Sequence, residues 1–270
     1  MAPGIFTVDG MGLQFPPGSI VVSIGDDGQP HTEVNTTMLR TDLWPTWLEI
    51  ACEHAGRAAE IGAQLRPNLP DELKGELLTR ELREGIVAIT AFAFAFDGFY
   101  DVVKSELGEH PHAAKWREAG KRPTPRHKQI AETLRFHFRL GPEFTGQLKS
   151  ILQQLFEFRG RAAHPSSKYV QANYRPEIDS GVHPHFLTFS GRHAVQCRAL
   201  TLVLLDRLVG RARELAAADA DLGWLDKGRK ELDRLAPSYR VAGDEQLAYE
   251  TGSSAAADVE EDDAPDSPTA

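Results

Sequence analysis

Ile86-Val-Ala-Ile-Thr-Ala-Phe-Ala-Phe-Ala-Phe-Asp-Gly-Phe-Tyr-Asp-Val-Val103 is the stretch on which the fold turns. Its alternating Ala-Phe repeat has the period of a strand. Phe92, Phe96, Phe99 and Val103 nevertheless fall on one stripe at helical spacing, and Phe94 extends another. Alanine is the strongest helix former, and the helical pattern continues unbroken on either side, so the segment reads as helix. Apolar on nearly every face, it should be the central helix of a bundle. Asp71, followed by Glu72, offers capping chemistry after the loop Arg66-Pro-Asn-Leu-Pro70, and the helix should run from there to about Leu107.

Working outward, Trp44, Leu48, Cys52 and Ala55 recur at helix spacing, and Pro45 suits a first turn. Downstream, Glu109 to Pro125 is polar, basic and Pro-containing, hence a loop. Gln129 to Arg139 and Thr145 to about Ala162 read as two helices parted by Gly141-Pro142, with Leu148, Leu152, Leu155 and Phe158 on the core face of the second. An irregular stretch from Pro165 to Pro184 follows, with a candidate short strand at Phe186-Leu-Thr-Phe189. Cys197, Leu200, Leu204 and Leu208 mark a final long helix, and a shorter one surrounds Trp224 and Leu232.

Residues 1–40 are extended in character. Ser19-Ile-Val-Val-Ser-Ile24 followed by Gly25-Asp-Asp-Gly28 and Thr32-Glu-Val34 predicts a small hairpin packed on the helical body. From about Gly243 the chain turns to Ala, Ser, Asp, Glu and Pro and should be disordered. The expected organisation is therefore mainly α: a β segment over 1–40, a helical bundle over 41–242, and an acidic tail over 243–270. There is no internal repeat.

Composition, at 41% apolar and 26% charged residues, is that of a globular protein. Cys52 and Cys197 both fall on apolar stripes, where a free thiol behaves as a small hydrophobe; a reducing, cytoplasmic setting is expected. The amino-terminal residues lack the basic start and apolar run of an export signal, and Ile86 to Phe96 is too short to span a bilayer, so no membrane association is expected. The net charge of −9 is concentrated in the last twenty residues, which hold six acids and no base; the remainder carries −3. Within it, Lys115 to Lys168 has twelve Lys or Arg against four acids. A basic face of that kind is what a phosphate backbone meets.

No Gly-rich phosphate loop, nucleotide fingerprint, zinc-protease motif or nucleophile elbow occurs. His110 with His112, and His183 with His185, form two His-Pro-His pairs, each short of a third ligand. No metal and no cofactor is expected. The segment Phe156-Glu-Phe-Arg-Gly-Arg-Ala-Ala-His-Pro165 is different: it ends an amphipathic helix with two arginines and a histidine, and Pro165 biases His164 away from helical geometry. On a continuous helix Arg159 and His164 would point about 140° apart. At a helix end, a long Arg side chain and a His beyond the last turn can address one pocket.

Arg159-Gly-Arg-Ala-Ala-His164 resembles the Arg-x(4–6)-His signature of the HEPN superfamily, as does its setting of long helices before it, an irregular stretch, and a closing helix. Gly160 stands where many members carry a polar residue, and Ser166 where some toxin members place a tyrosine. The resemblance implies a homodimer with two Arg-His pairs facing across a cleft, and metal-independent cleavage of RNA. It assigns His164 as acid or base and Arg159 as phosphate clamp. Arg161 would assist or bind RNA backbone, and Lys121, Arg122, Arg126 and Lys128 are candidate RNA contacts. A toxin or a stress or phage-defence effector, with an antitoxin partner, is within what it implies. A catalytically silent RNA-, nucleotide- or protein-binding module of the same fold is the competing expectation.

Ordinary structural roles stand beside these. Arg159 could pair with Glu157 or Asp97, and His164 could satisfy its helix end. Asp97, the lone acid in the most apolar helix, is either a buried partner for Arg159 or the motif face, or a residue at an exposed edge beside Gly98.

Overall fold

The structure, a computed structural model, describes residues 11–24, 28–34, 38–117, 123–164, 168–215 and 223–235. The tail over 243–270 lies outside them. Seven helices carry the described part, with short strands at three places. β1 (Met11–Gln14) pairs antiparallel with β4 (Met38–Thr41), and β2 (Ile20–Ile24) with β3 (Pro30–Val34). The two ladders are separate two-stranded sheets. The register matches the expected hairpin, but the packing does not. Ile20, Val21, Val22 and Ile24 all face solvent, Val22 at 66% and Ile24 at 78% exposure. It is β4 that is tied to the helical body, where its Arg40 pairs with Glu106.

Helix α1 (Trp44–Gly62) begins with Pro45 in its first turn, as its fixed φ and missing donor allow. It runs against α2 (Asp71–Leu107), which also meets α3 (Arg126–Phe138), α4 (Pro142–Ala163) and α6 (Gly191–Leu215). Pro70, not Asp71, is the cap of α2; Asp71 and Glu72 lie inside the first turn, where their charge faces the positive end of the helix. The stripe of Phe92, Phe96, Phe99 and Val103 is buried without remainder. Trp44 meets Phe99 edge-on at 5.1 Å, and Phe99 continues to Phe138 of α3 at 6.1 Å. Such pairs add about 0.5–1.5 kcal/mol beyond their buried area.

Helix α2 contains an 18-residue window of mean hydropathy 1.7, long and apolar enough by composition to cross a bilayer. Counting only the unbroken run Ile86–Phe96 understates it, because Asp97 and Gly98 interrupt the run without lowering the average much. Within the bundle 61% of that window is buried. Both thiols are buried, and burial pushes Cys52 up to about 12.

The segment between α4 and α6 is more ordered than its sequence suggests. β5 (Asn173–Arg175) and β6 (Ser180–Val182) pair across a 3₁₀ turn, Pro176–Ile178. The Phe186-Leu-Thr-Phe segment is not a strand: α5 (His185–Thr188) is a single helical turn started by Pro184. Ile178 and Val182 cover a second small core with Ile61, Leu65, Leu77 and Leu78. The crossing is pinned by a buried ion pair, in which Arg175 Nη2 donates to Glu81 Oε1 at 2.9 Å and Nη1 to the Phe186 carbonyl at 3.0 Å. The same Glu81 oxygen accepts the Gly191 N–H at 2.8 Å, so one carboxylate of α2 holds both the hairpin and the start of α6. Finally α7 (Gly223–Leu235) closes over α1 and α6, with Gly228 pressed so close to the Trp44 ring that a Cβ there would overlap it.

Candidate active site

Helix α4 stays helical through Ala163, and His164 leaves it with φ −129° and ψ 67°. The departure from helix at His164 matches the expectation from Pro165. Its N–H still donates to the Gly160 carbonyl at 2.9 Å, and its side chain is exposed without a partner among the described residues.

Arg159, one turn earlier, turns toward α2. Its guanidinium lies over the Phe94 ring at 4.9 Å and the Phe156 ring at 5.3 Å. Nη1 stands 3.7 Å from Asp97 Oδ2, inside ion-pair range but beyond a hydrogen bond. Two aromatic faces and a carboxylate therefore fix the position of the group, while its N–H donors make no hydrogen bond among the described residues. Its side chain keeps 35% exposure. Of the two acids considered for Arg159, Asp97 is the one; Glu157 accepts from Gln153 instead.

Asp97 is shared. Arg126 Nε donates to Asp97 Oδ1 at 2.6 Å, Nη2 reaches Asp101 Oδ1 at 3.4 Å, and the guanidinium covers the Tyr100 ring at 4.4 Å. Burial works against the Arg126 charge, but the Asp97 hydrogen bond and the two carboxylates outweigh it and raise its pKa. The charge of Arg126 is thus met inside the protein. Asp97 is half-buried: neither fully interior nor merely an exposed edge residue. A cavity of about 330 Å³ opens beside it between β4, α1 and α2, with Trp47, Phe94 and Asp42 in its wall. Burial raises the Asp42 carboxyl above the usual range.

The other residues divide. Arg161 is exposed, 5.7 Å above the Phe158 ring, on the side where burial, His183 and Arg161 itself depress the His185 pKa. Lys128 is exposed and forms no ion pair among the described residues. Lys121 and Arg122 lie outside the described residues. Trp116 is half-buried, and its ring stacks on His110 at 4.8 Å. The two His-Pro-His pairs are far from a ligand set; among the described residues no three His, Cys, Asp or Glu side chains could hold a metal ion.

Within one chain, then, the structure joins Arg159, Asp97 and Arg126, and among the described residues Arg159 and His164 share no hydrogen bond. Tyr100, Asp101 and Phe156 were not singled out from sequence, and Phe94 was read only as part of an apolar stripe. Helical spacing would have found three of them: residues 94, 97 and 101 share one face of α2, and 156 lies three before 159. No protein-family model matches the chain, and no curated protein or solved structure matches it.

Proposed function

We propose that the chain is a metal-independent endoribonuclease of the HEPN type that works as a homodimer in the cytoplasm, as a toxin or defence effector. One observation carries this reading: a guanidinium positioned by Phe94, Phe156 and Asp97, with its donors uncommitted, one turn before an exposed histidine. A phosphate between two bases needs such a group. The planar fork can take two non-bridging oxygens and offset the charge that builds on them.

His164 supplies the proton transfers, since an exposed imidazole can take a proton on one ring nitrogen and give one from the other. The RNA 2′-hydroxyl loses its proton to one neutral His164 as its oxygen bonds to phosphorus. The bond from phosphorus to the 5′-oxygen breaks, and the second His164, protonated, gives its proton to that leaving oxygen. A 2′,3′-cyclic phosphate and a 5′-hydroxyl result. In the homodimer the Arg159 and His164 of each chain face those of the other across the cleft, so that one histidine takes a proton while the other gives one.

A second reading, a silent RNA-binding module, draws on the same ion pair: Arg159 already has Asp97 as a partner, and Gly160 supplies no polar group beside it. Induced expression in a bacterial host separates the two. The nuclease slows growth, and His164→Ala restores it; equal slowing by the mutant favours the binding module.

A further inference from the structure

A groove at the opposite end of α4 carries four arginines. Arg139, Arg207, Arg211 and Arg229 converge on a hollow of about 550 Å³ where the α3–α4 turn meets α6 and α7, with Phe144 on its wall. Two acids, Asp206 and Glu214, line it as well. Arg229 is held by Asp206 at 2.7 Å and by Asp233, so its charge is largely answered and its plane is fixed. Arg211 donates through Nε to the Phe138 carbonyl at 3.2 Å and pairs through Nη1 with Glu214 at 2.8 Å. Arg139 is different. It closes α3 in the left-handed conformation, φ 49°, which throws its exposed side chain out beside the groove, and it has no partner among the described residues. Gly141 and Gly210 also line the hollow.

We infer that this groove binds the phosphate backbone of single-stranded RNA, with Arg139 as its free phosphate contact and the Phe144 wall taking an unstacked base. The inference rests on the ribonuclease reading for its ligand and extends it by placing the strand away from the cut. Phe144 and Arg159 are fifteen residues apart on one helix, which puts them about 22 Å apart along α4 and only about 60° apart around it. A strand following that face would touch the groove and the Arg159 guanidinium together. Tethering by remote phosphates is how a weakly anchored clamp gains a long substrate without gripping the reacting phosphate more tightly.

The test is fluorescence-anisotropy binding of a labelled 20-nucleotide RNA to the full chain carrying His164→Ala, with EDTA, across a salt series. Adding Arg139→Glu should weaken binding at least fivefold and flatten the log–log salt slope by about 0.7–1, the loss of one phosphate contact. Arg139→Gln should fall between, and circular dichroism should show both folded. Arg80→Glu, the same charge change on an exposed turn of α2, serves as the control and should stay within twofold. Equal effects of the Arg139 and Arg80 changes would overturn the groove, as would failure of the parent to bind RNA. Cutting by the wild type without Arg139-dependent binding leaves the nuclease and removes the groove. Arg139-dependent binding without cutting keeps the groove and removes the nuclease.

Discussion

Asp97 Oδ2 stands 3.7 Å from Arg159 Nη1, and this pair joins the long central helix α2 to the end of the helix that bears the motif. The carboxylate also binds Arg126, so the guanidinium proposed as the phosphate clamp shares its carboxylate with a second arginine. Asp97→Asn should therefore loosen Arg159 while removing a negative charge from the site. Turnover of RNA is expected to fall by up to about a hundredfold, the cost of a misplacement of about 1 Å, while KM stays level or drops. Steady-state kinetics on a labelled RNA would show it. A variant that lowers the melting temperature yet leaves kcat unchanged assigns Asp97 to folding alone.

Glu81 and Arg175 are exposed by only 1% and 2%, and the pair holds the β5–β6 hairpin and the start of α6 to α2. Breaking it from one side leaves a buried charge without its partner. Arg175→Met should cost about 3–5 kcal/mol in urea unfolding. The double change Glu81→Met with Arg175→Met should recover part of that, because no orphaned charge remains, although the Gly191 N–H and the Phe186 carbonyl lose their partners. A single-variant loss below about 1 kcal/mol would contradict the role given to the pair.

Gly85 lies against the Phe189 backbone, and a Cβ there would overlap the Phe189 carbonyl. Backbone yields less easily than a side chain. Gly85→Ala should destabilise by about 1–3 kcal/mol, the scale of an overpacked site, although alanine is the better helix former. Thermal unfolding decides the sign: a stabilised variant would mean that the two backbones are not in contact.

His110 is buried, and its Nδ1 accepts the His112 N–H at 3.0 Å, which requires a neutral ring. Burial first, then His112, lowers its pKa; Arg135 and His137 act the same way and Glu132 opposes them. The unfolded imidazole protonates near 6.5, and the folded one below that. Between the two values the unfolded state holds more protons, so stability rises with pH there and is lost on acidification. The melting temperature should decline below about pH 6.5, with the Trp116 emission changing as its stack on His110 loosens. His110→Phe should make the decline shallower; an unchanged profile would assign it to the other histidines.

The bundle was legible because α2 repeats one stripe for many turns, and helical periodicity of that length has few other meanings. Short pieces were not. Three residues of β5 or β6 show no period, and Phe186-Leu-Thr-Phe189 looks the same as a strand or as the single turn that Pro184 starts. The exposed faces of Ile20, Val22 and Ile24 contradict the expectation from apolarity, since alternation says which residues share a face and nothing about whether a neighbour covers it. At the site, the non-helical turn at His164 followed from Pro165. The choice of Asp97 over Glu157 did not, because it depends on α2 and α4 lying side by side. Arg139, Arg207 and Arg229 come from three separate elements, and their convergence exists only in the folded chain.

The most direct measurement is cleavage of an end-labelled RNA, in EDTA, by the wild type and by Arg159→Ala and His164→Ala. The account predicts cutting by the wild type that leaves a 2′,3′-cyclic phosphate and a 5′-hydroxyl, and its loss in both variants. A purified protein that leaves the RNA intact, or variants that cut as well as the wild type, would contradict it.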